Sequence, residues 1–307
     1  MTGVLFAAKS DRWEDYEASL RAAFSEAGVE VDLSTDLAPE RVEYLVYAPD
    51  SDVRDFGTFP NLKAVLNLWA GVEGVVGNET LRVPLCRMVE PGLREGMVEY
   101  VTGHVLRHHL MIDRFLARQD RWDYAIPPLA RDRTVGILGL GELGAACAEA
   151  LAGLKFRVLG WSRSEKDLGV ETFSGDQGLR AVLTASDILV LLLPLTRATE
   201  NVLAAETIAL MPEGAVVINP GRGPLVDDDA LLAALDSGHL SHATLDVFRE
   251  EPLPEGHPFW AHPKVTVTPH VASATRAGTA AKVIAENVRR GEAGEPLLYQ
   301  VDRGAGY

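Results

Sequence analysis

The sequence predicts an α/β chain folded as two doubly wound parallel-sheet domains. Three observations lead there. Short apolar runs alternate with helical stretches over most of the chain. Residues 188–193, Ile-Leu-Val-Leu-Leu-Leu, are apolar without alternation, as expected of a parallel strand buried on both faces. And Gly139-x-Gly141-x-x-Gly144 lies between an apolar run at 135–138 and a helical stretch at 145–154, with a further apolar run at 156–161.

Taken in order, residues 4–8 read as a buried strand and 11–27 as a helix that Asp11 can cap. Further short strands are expected at 29–33, 44–47, 62–68 and 83–87, so the first ninety or so residues form a small α/β unit. Glu90-Pro91-Gly92 interrupts the pattern. Residues 95–119 contain no proline and read as one long helix connecting the first unit to the second. Beyond the glycine turn, strands are expected at 156–161, 187–193, 215–219, 243–247 and 265–268. The helix expected at 227–237 has an acidic start and Gly238 just past its end, which suits the macrodipole and the stop rule. The chain turns helical again over 274–290 and ends that helix at Gly291.

At 307 residues the chain has room for two domains, and a hydrophobic fraction of 47% supports substantial cores. No apolar run is long enough for a membrane span, and the N-terminus carries no secretory pattern. Two cysteines, Cys86 and Cys147, lie far apart and outside any CxxC spacing, so a reducing cytosol without disulfides is expected. A formal net charge of −15 argues against nucleic acid or an anionic membrane as partner. Against that acidic background, an anionic ligand needs locally placed cations, which makes the few well-placed arginines informative. His104 and His108 have the spacing of two ligands on one helix face. No carboxylate completes a HExxH pattern and Arg107 lies between them, so they read as a packed or solvated face and no metal is expected.

Each glycine of the 139–144 turn has a physical task. Gly139 permits the tight turn, Gly141 lets the backbone approach a pyrophosphate, and Gly144 lets helix pack on strand. The N–H groups of Glu142 and Leu143 then stand at the helix start, where the macrodipole favours anions. In open α/β sheets ligands bind beyond the carboxyl ends of the strands, so those positions are the place to look. After 156–161 come Ser162, Arg163 and Ser164, with Lys166 close by. The Asp or Glu that binds the ribose hydroxyls of NAD is missing there, and the set suits a 2′-phosphate. NADP(H) is therefore expected in preference to NAD(H), which stays possible. After 215–219 comes Arg222 between two glycines, a permanent planar cation matched to a carboxylate. After 243–247 comes Glu251, and after 265–268 comes His270. Together these are the elements of a 2-oxo acid reductase. Arg222 holds the substrate carboxylate, His270 donates the proton, and Glu251 holds the histidine's tautomer through its other ring nitrogen.

Gly139-x-Gly141-x-x-Gly144, Asn219-x-x-Arg222-Gly223, Asp246-Val-Phe-x-x-Glu251-Pro252-Leu253 and Thr268-Pro-His270 resemble the signature set of the D-isomer-specific 2-hydroxyacid dehydrogenases, over essentially the whole chain. Within that family, Trp161-Ser-Arg-Ser164, Leu231-Leu-Ala-Ala-Leu-Asp-Ser-Gly238, Thr268-Pro-His-Val-Ala272 and Gln300-Val-Asp-Arg303 look most like its glyoxylate/hydroxypyruvate reductase A branch. The resemblance implies a Rossmann-type cofactor domain (98–273) inserted in a discontinuous flavodoxin-like substrate domain (1–97 and 274–307), with the active site in the cleft between them. It implies NADPH-dependent reduction of glyoxylate and hydroxypyruvate, with Arg222, Glu251 and His270 as the catalytic set, and a homodimer. It also implies that backbone N–H groups of Ala70, Gly71 and Val72 bind the substrate carboxylate. Asp246 is expected at the nicotinamide amide, Leu193 and Pro194 at the adenosine side, and Thr199 near a phosphate. Asn219 and Ala272 complete the expected cofactor contacts. Two positions depart from the branch pattern. Trp69 stands where a small residue is expected beside the substrate loop, and Tyr47 where a tryptophan is expected near the substrate. The alternatives are a reductase of a bulkier 2-oxo acid on the same scaffold, or a non-catalytic NAD(P)(H)-sensing regulator that binds proteins.

Overall fold

The computed structural model describes residues 1–306, and the chain divides into two compact units, Met1–Leu93 with Ala274–Tyr307 and Arg94–Ser273. The first unit opens with β1 (Thr2–Ala7), α1 (Ser10–Glu26), β2 (Val31–Ser34), β3 (Tyr44–Tyr47), β4 (Ala64–Asn67) and β5 (Leu85–Cys86). All pairings in its sheet are parallel, in the order β2-β1-β3-β4-β5, which is the flavodoxin-like winding.

The second unit runs from α2 (Pro91–His109), whose first turn still belongs to the first, through α3 (Ile112–Leu116), β6 (Thr134–Leu138), α4 (Glu142–Gly153) and β7 (Arg157–Trp161). Then come β8 (Glu171–Phe173), α5 (Gly175–Ala185), β9 (Ile188–Leu191), α6 (Ala205–Ile208), β10 (Ala215–Asn219) and α7 (Asp228–Ser237). It closes with β11 (Leu240–Leu245), α8 (Pro258–Ala261) and β12 (Val265–Val267), and the chain returns to the first unit as α9 (Ala277–Ala293). The seven strands are parallel in the order β12-β11-β10-β9-β6-β7-β8. Read from β8, this is the Rossmann order with one strand added beyond β11.

Strand periodicity shows directly in the packing. Val135, Ile137, Ile188, Val190, Val216 and Ile218 face one core, with Met97, Val101 and Val105 of α2 and Leu151 of α4. Leu138, Leu189, Leu191, Val217 and Leu245 face the other, with Val182 of α5 and Leu231 and Leu235 of α7. Successive residues serve opposite cores, so the strands must be apolar throughout. In the first unit, Val4, Phe6, Tyr44 and Leu66 pack on α1 and α9. The opposite face, with Leu5, Leu45 and Val65, is closed by Phe56, Val72, Val75 and Leu81 from short turns and loops.

Several element ends differ from the sequence reading. Glu90-Pro91-Gly92 does not interrupt the chain but starts α2. Proline is at its first position, and the Glu90 carboxylate accepts from the backbone N–H of Gly92 (2.6 Å) and Leu93 (2.7 Å). A third bond to the same carboxylate, from the N–H of Arg276 at 3.1 Å, ties down the entrance to α9. The helix expected to run to residue 119 stops at His109, because Met111 adopts a left-handed conformation (φ +55°) and a separate turn, α3, follows. Similarly, α1 begins at Ser10, with Asp11 inside its first turn, and α9 continues past Gly291 to a left-handed Gly294. Gly291 instead lies in the helix against Tyr44, whose hydroxyl would stand 2.2 Å from any added Cβ.

The helix face carrying His104 and His108 is packed. His108 Nε2 pairs with Thr244 Oγ1 at 2.9 Å, and its ring lies 4.9 Å from that of His242. Burial pulls His108 down to about 3 and His242 down to about 4, so both are neutral spacers between α2 and β11.

Candidate active site

In the second unit the chemistry-bearing residues follow the carboxyl ends of successive strands. After β6, Gly139 turns with φ +108°, and a Cβ there would stand 2.5 Å from the carbonyl oxygen of Leu192. A Cβ on Gly144 would fall 1.8 Å from the Gly139 oxygen, so only glycine lets α4 start this close to β6. A Cβ on Gly141 would meet nothing within 4 Å. The second glycine thus faces open space at the start of α4, where the N–H groups of Glu142 and Leu143 lack intrahelical partners. Those three environments fit a dinucleotide pyrophosphate on the helix N-terminus.

After β7, Ser162 is buried and donates to the Ser164 carbonyl at 2.6 Å, while Arg163, Ser164 and Lys166 are exposed. The first carboxylate after the strand, Glu165, comes only after these three residues and is exposed as well. Leu193 beyond β9 packs into the core, and Pro194 is half-buried. The Thr199 hydroxyl is engaged within its own loop. It donates to the Pro194 carbonyl at 2.7 Å and accepts from the Thr196 N–H at 2.8 Å, so it braces the loop that the sequence reading assigned to a phosphate.

Beyond β10, the buried Asn219 side chain organises the Arg222 turn. Its Nδ2 donates to the Arg222 carbonyl at 2.9 Å, and its Oδ1 accepts from the Gly221 N–H at 3.1 Å. Gly221 and Gly223 lie flat on neighbouring backbone, 2.7 Å from the Leu191 oxygen and 2.0 Å from the Phe248 carbonyl carbon for an added Cβ. The Arg222 guanidinium is braced by Nη1 on the Gly221 carbonyl at 2.7 Å. Asn219 therefore supports an arginine turn, and the sequence reading had placed it only at the cofactor.

Beyond β11 and β12, Glu251 divides its two oxygens. Oε1 accepts from the Phe248 N–H at 2.9 Å, and Oε2 pairs with His270 Nδ1 at 2.7 Å. The His270 side chain is 51% exposed, so its other nitrogen, Nε2, is the one presented to a ligand. His270 sits in the left-handed region (φ +53°), rare for a residue with a Cβ. Asp246, which the sequence points at a nicotinamide amide, is fully buried. Its Oδ1 accepts from Thr268 Oγ1 (2.6 Å) and the Val271 N–H (2.9 Å), its Oδ2 from the Ala272 N–H (2.8 Å). Arg222 and His270 follow strands two places apart in the sheet, a spacing of roughly 10 Å between those strands.

In the first unit, Tyr47 turns inward, 3% exposed and edge-on to Phe56 at 5.3 Å, within the core of that unit. Asn67 at the end of β4 was missed by the sequence reading. Its Nδ2 donates to the carbonyls of Trp69 (2.7 Å) and Gly71 (2.9 Å), shaping the loop through Ala70. Trp69 stacks under Arg12 at 5.6 Å, and Val72 is buried. The usable signal was an amide at a strand end before Trp-Ala-Gly.

The family model for the NAD-binding domain of D-isomer specific 2-hydroxyacid dehydrogenases matches residues 102–272. The chain belongs to this family. Glyoxylate/hydroxypyruvate reductase A of Salmonella heidelberg is 40% identical over 257 residues, 80% of this chain and 82% of the relative. A D-isomer specific 2-hydroxyacid dehydrogenase of Xanthobacter autotrophicus Py2, crystallised with NADPH and MES, aligns over 100% of this chain and 99% of its own, at 44% identity and TM-score 0.93. The NADPH-dependent glyoxylate/hydroxypyruvate reductase of Sinorhizobium meliloti, crystallised with NADP and sulfate, aligns over 100% of both chains at 37% identity and TM-score 0.88. The family's dinucleotide turn is present here with each glycine in the environment its task requires.

Those environments separate two substitutions. Gly144→Ala must displace backbone and is expected to destabilise the second unit by about 1–3 kcal/mol. Gly141→Ala, with open space around it, is expected to leave the thermal midpoint unchanged. Thermal denaturation of both variants checks this, and equal midpoints would contradict the assignment.

Proposed function

We propose that this chain is an NADPH-dependent reductase of small 2-oxo acids, converting glyoxylate to glycolate and hydroxypyruvate to D-glycerate. The observation that carries the reading is the His270–Glu251 pair at 2.7 Å on the sheet edge that also carries Arg222. Relatives 40% and 37% identical are named for this activity. Arg222 binds the substrate carboxylate through its planar fork and polarises the adjacent carbonyl. His270, protonated and oriented by Glu251, delivers a proton from Nε2 to the carbonyl oxygen as that carbon becomes a secondary or primary alcohol carbon. The bound nicotinamide supplies the hydride. In the first unit, the Asn67-shaped backbone at Ala70, Gly71 and Val72 is proposed as a carboxylate-binding loop.

For the cofactor, the support is twofold: structural relatives hold NADPH or NADP, and Ser162-Arg163-Ser164 follows β7 without a ribose-binding acid. Leu193, Pro194 and Ala272 are proposed to line the cofactor site. Cys86 and Cys147 are buried free thiols, both pushed up to about 12 by burial, which suits a cytoplasmic enzyme. No helix among the described residues is long and apolar enough to cross a membrane. A homodimer is proposed through the segment after α2, where Leu116, Trp122, Tyr124, Ile126 and Leu129 are all exposed, Trp122 by 93%.

Three measurements test this reading. Purified protein is expected to oxidise NADPH on addition of glyoxylate or hydroxypyruvate, and Arg222→Lys to lose about a hundredfold or more in kcat/KM, since a point charge cannot reproduce the bidentate grip. No turnover with any small 2-oxo acid would sink the enzyme reading. Arg163→Ala should weaken NADPH about tenfold while NADH changes less than about twofold; equal losses remove the 2′-phosphate argument. Light scattering should give a dimer mass that falls to the monomer's in Trp122→Lys, and a monomeric parent would rule the interface out.

A further inference from the structure

His270 holds a left-handed conformation, which a residue with a Cβ keeps only where its surroundings over-determine it. Apart from the Glu251 contact on its ring and the Thr268 carbonyl, the bonds that hold it run through Asp246. The His270 N–H donates to the Asp246 carbonyl (2.8 Å), and the next two N–H groups donate to the Asp246 carboxylate (2.9 and 2.8 Å). One further donor to that carboxylate is the Thr268 hydroxyl at 2.6 Å. Thr268 has a single hydroxyl proton, and an acceptor-only carboxylate takes it. The Tyr100 hydroxyl, 2.7 Å from Thr268 Oγ1, must therefore be the donor in that contact. A directed chain results, from Tyr100 O–H to Thr268 O–H to Asp246 to the backbone on either side of the Val271 peptide. Hydrogen bonds in series polarise one another and gain from it.

We propose that Tyr100, on α2, is a positioning residue for His270, acting through Thr268 and Asp246 to hold the imidazole where it can transfer its proton. The Thr268 carbonyl also accepts from the His270 N–H at 3.0 Å, while the Tyr100 and Thr268 hydroxyls act at the far side of the Asp246 clamp. The Tyr100 ring is itself fixed, 4.4 Å from the His104 ring. This gives the 100/104 helix face a task other than metal binding. Burial pushes the Tyr100 hydroxyl up to about 12, so it keeps its proton and remains a donor across the working range. The inference rests on the reductase reading for its kinetic consequence, and on the hydrogen-bond geometry alone for its structural one.

The experiment compares wild type, Tyr100→Phe, Thr268→Ser, Thr268→Val and the Tyr100→Phe/Thr268→Val pair. With hydroxypyruvate at saturating NADPH, Tyr100→Phe is expected to lower kcat about five- to tenfold, with KM and NADPH affinity within about twofold. Thr268→Ser keeps the relay and near wild-type kcat. Thr268→Val loses more, and the pair no more than Thr268→Val alone, the mark of one chain acting as a unit. Amide exchange at Val271 and Ala272 is expected to quicken in Tyr100→Phe whether or not a substrate is turned over. A kcat within twofold of wild type in Tyr100→Phe, losses that multiply in the pair, or unchanged exchange at Val271 and Ala272 would each overturn the proposal. Failure of wild type to reduce any 2-oxo acid, with quickened exchange in Tyr100→Phe, removes the reductase reading and leaves the relay standing as structure.

Discussion

Much of the second unit's chemistry depends on one buried carboxylate. Asp246 follows directly on β11, and its two carboxylate oxygens and its carbonyl together receive four bonds from residues 268–272 beyond β12. A buried charge costs several kcal/mol unless it is fully engaged, and here the engaging donors belong to the loop that carries His270. The cost of burial and the strain at φ +53° are thereby offset by the same set of bonds. Glu251 completes the arrangement from the β11 side by anchoring one oxygen on the Phe248 N–H and leaving the other for Nδ1. The ring nitrogen that faces outward is thus set by backbone, before any ligand arrives.

The parallel sheet supplies the rest of the frame. Every strand of the second unit points its carboxyl end the same way, so the glycine turn after β6, the Ser-Arg-Ser segment after β7, Arg222 after β10 and His270 after β12 share one edge. That edge gathers cations and helix-start N–H groups on a chain whose formal net charge is −15. Anionic cofactor and anionic substrate are accommodated by local placement, against the overall charge. At Arg222 the local placement comes from packing. Glycines on both sides lie against neighbouring backbone, and Asn219 bonds to the turn twice, leaving the guanidinium as the one bulky group there.

How much was legible in the sequence follows from which forces are local. The strand at Tyr44–Tyr47, the cap of α7 at Asp227 with its left-handed stop at Gly238, and the glycine turn were all readable, because each is set by neighbours a few residues away. The start of α2 was not, since it depends on a glutamate bonding forward to Gly92 and Leu93 and across to Arg276. Nor was the end of α2, where an apolar, proline-free stretch leaves the helix at Met111. Tyr47 and Asp246 carry polar atoms at or just past strand ends and Thr199 in the loop after β9, where ligand contact is the natural reading. The structure adds what each does within the fold: packing on Phe56, bonding to the His270 loop and bracing of the 194–199 loop.

The sequence by itself determined the fold class, the winding of the sheets, the family, and the residue types at the strand ends. Hydrophobic periodicity, glycine geometry and motif spacing act over short stretches and survive without coordinates. Only the tertiary structure decided which of those polar residues bond to one another and hold the strand-end loops in place. Asp246 and Asn219 each bond to a neighbouring loop, and Tyr100 entered the account at all only because α2 brings its hydroxyl 2.7 Å from a threonine 168 residues away. A hydrogen bond needs sub-ångström placement between distant segments, and no pattern along a chain encodes that distance.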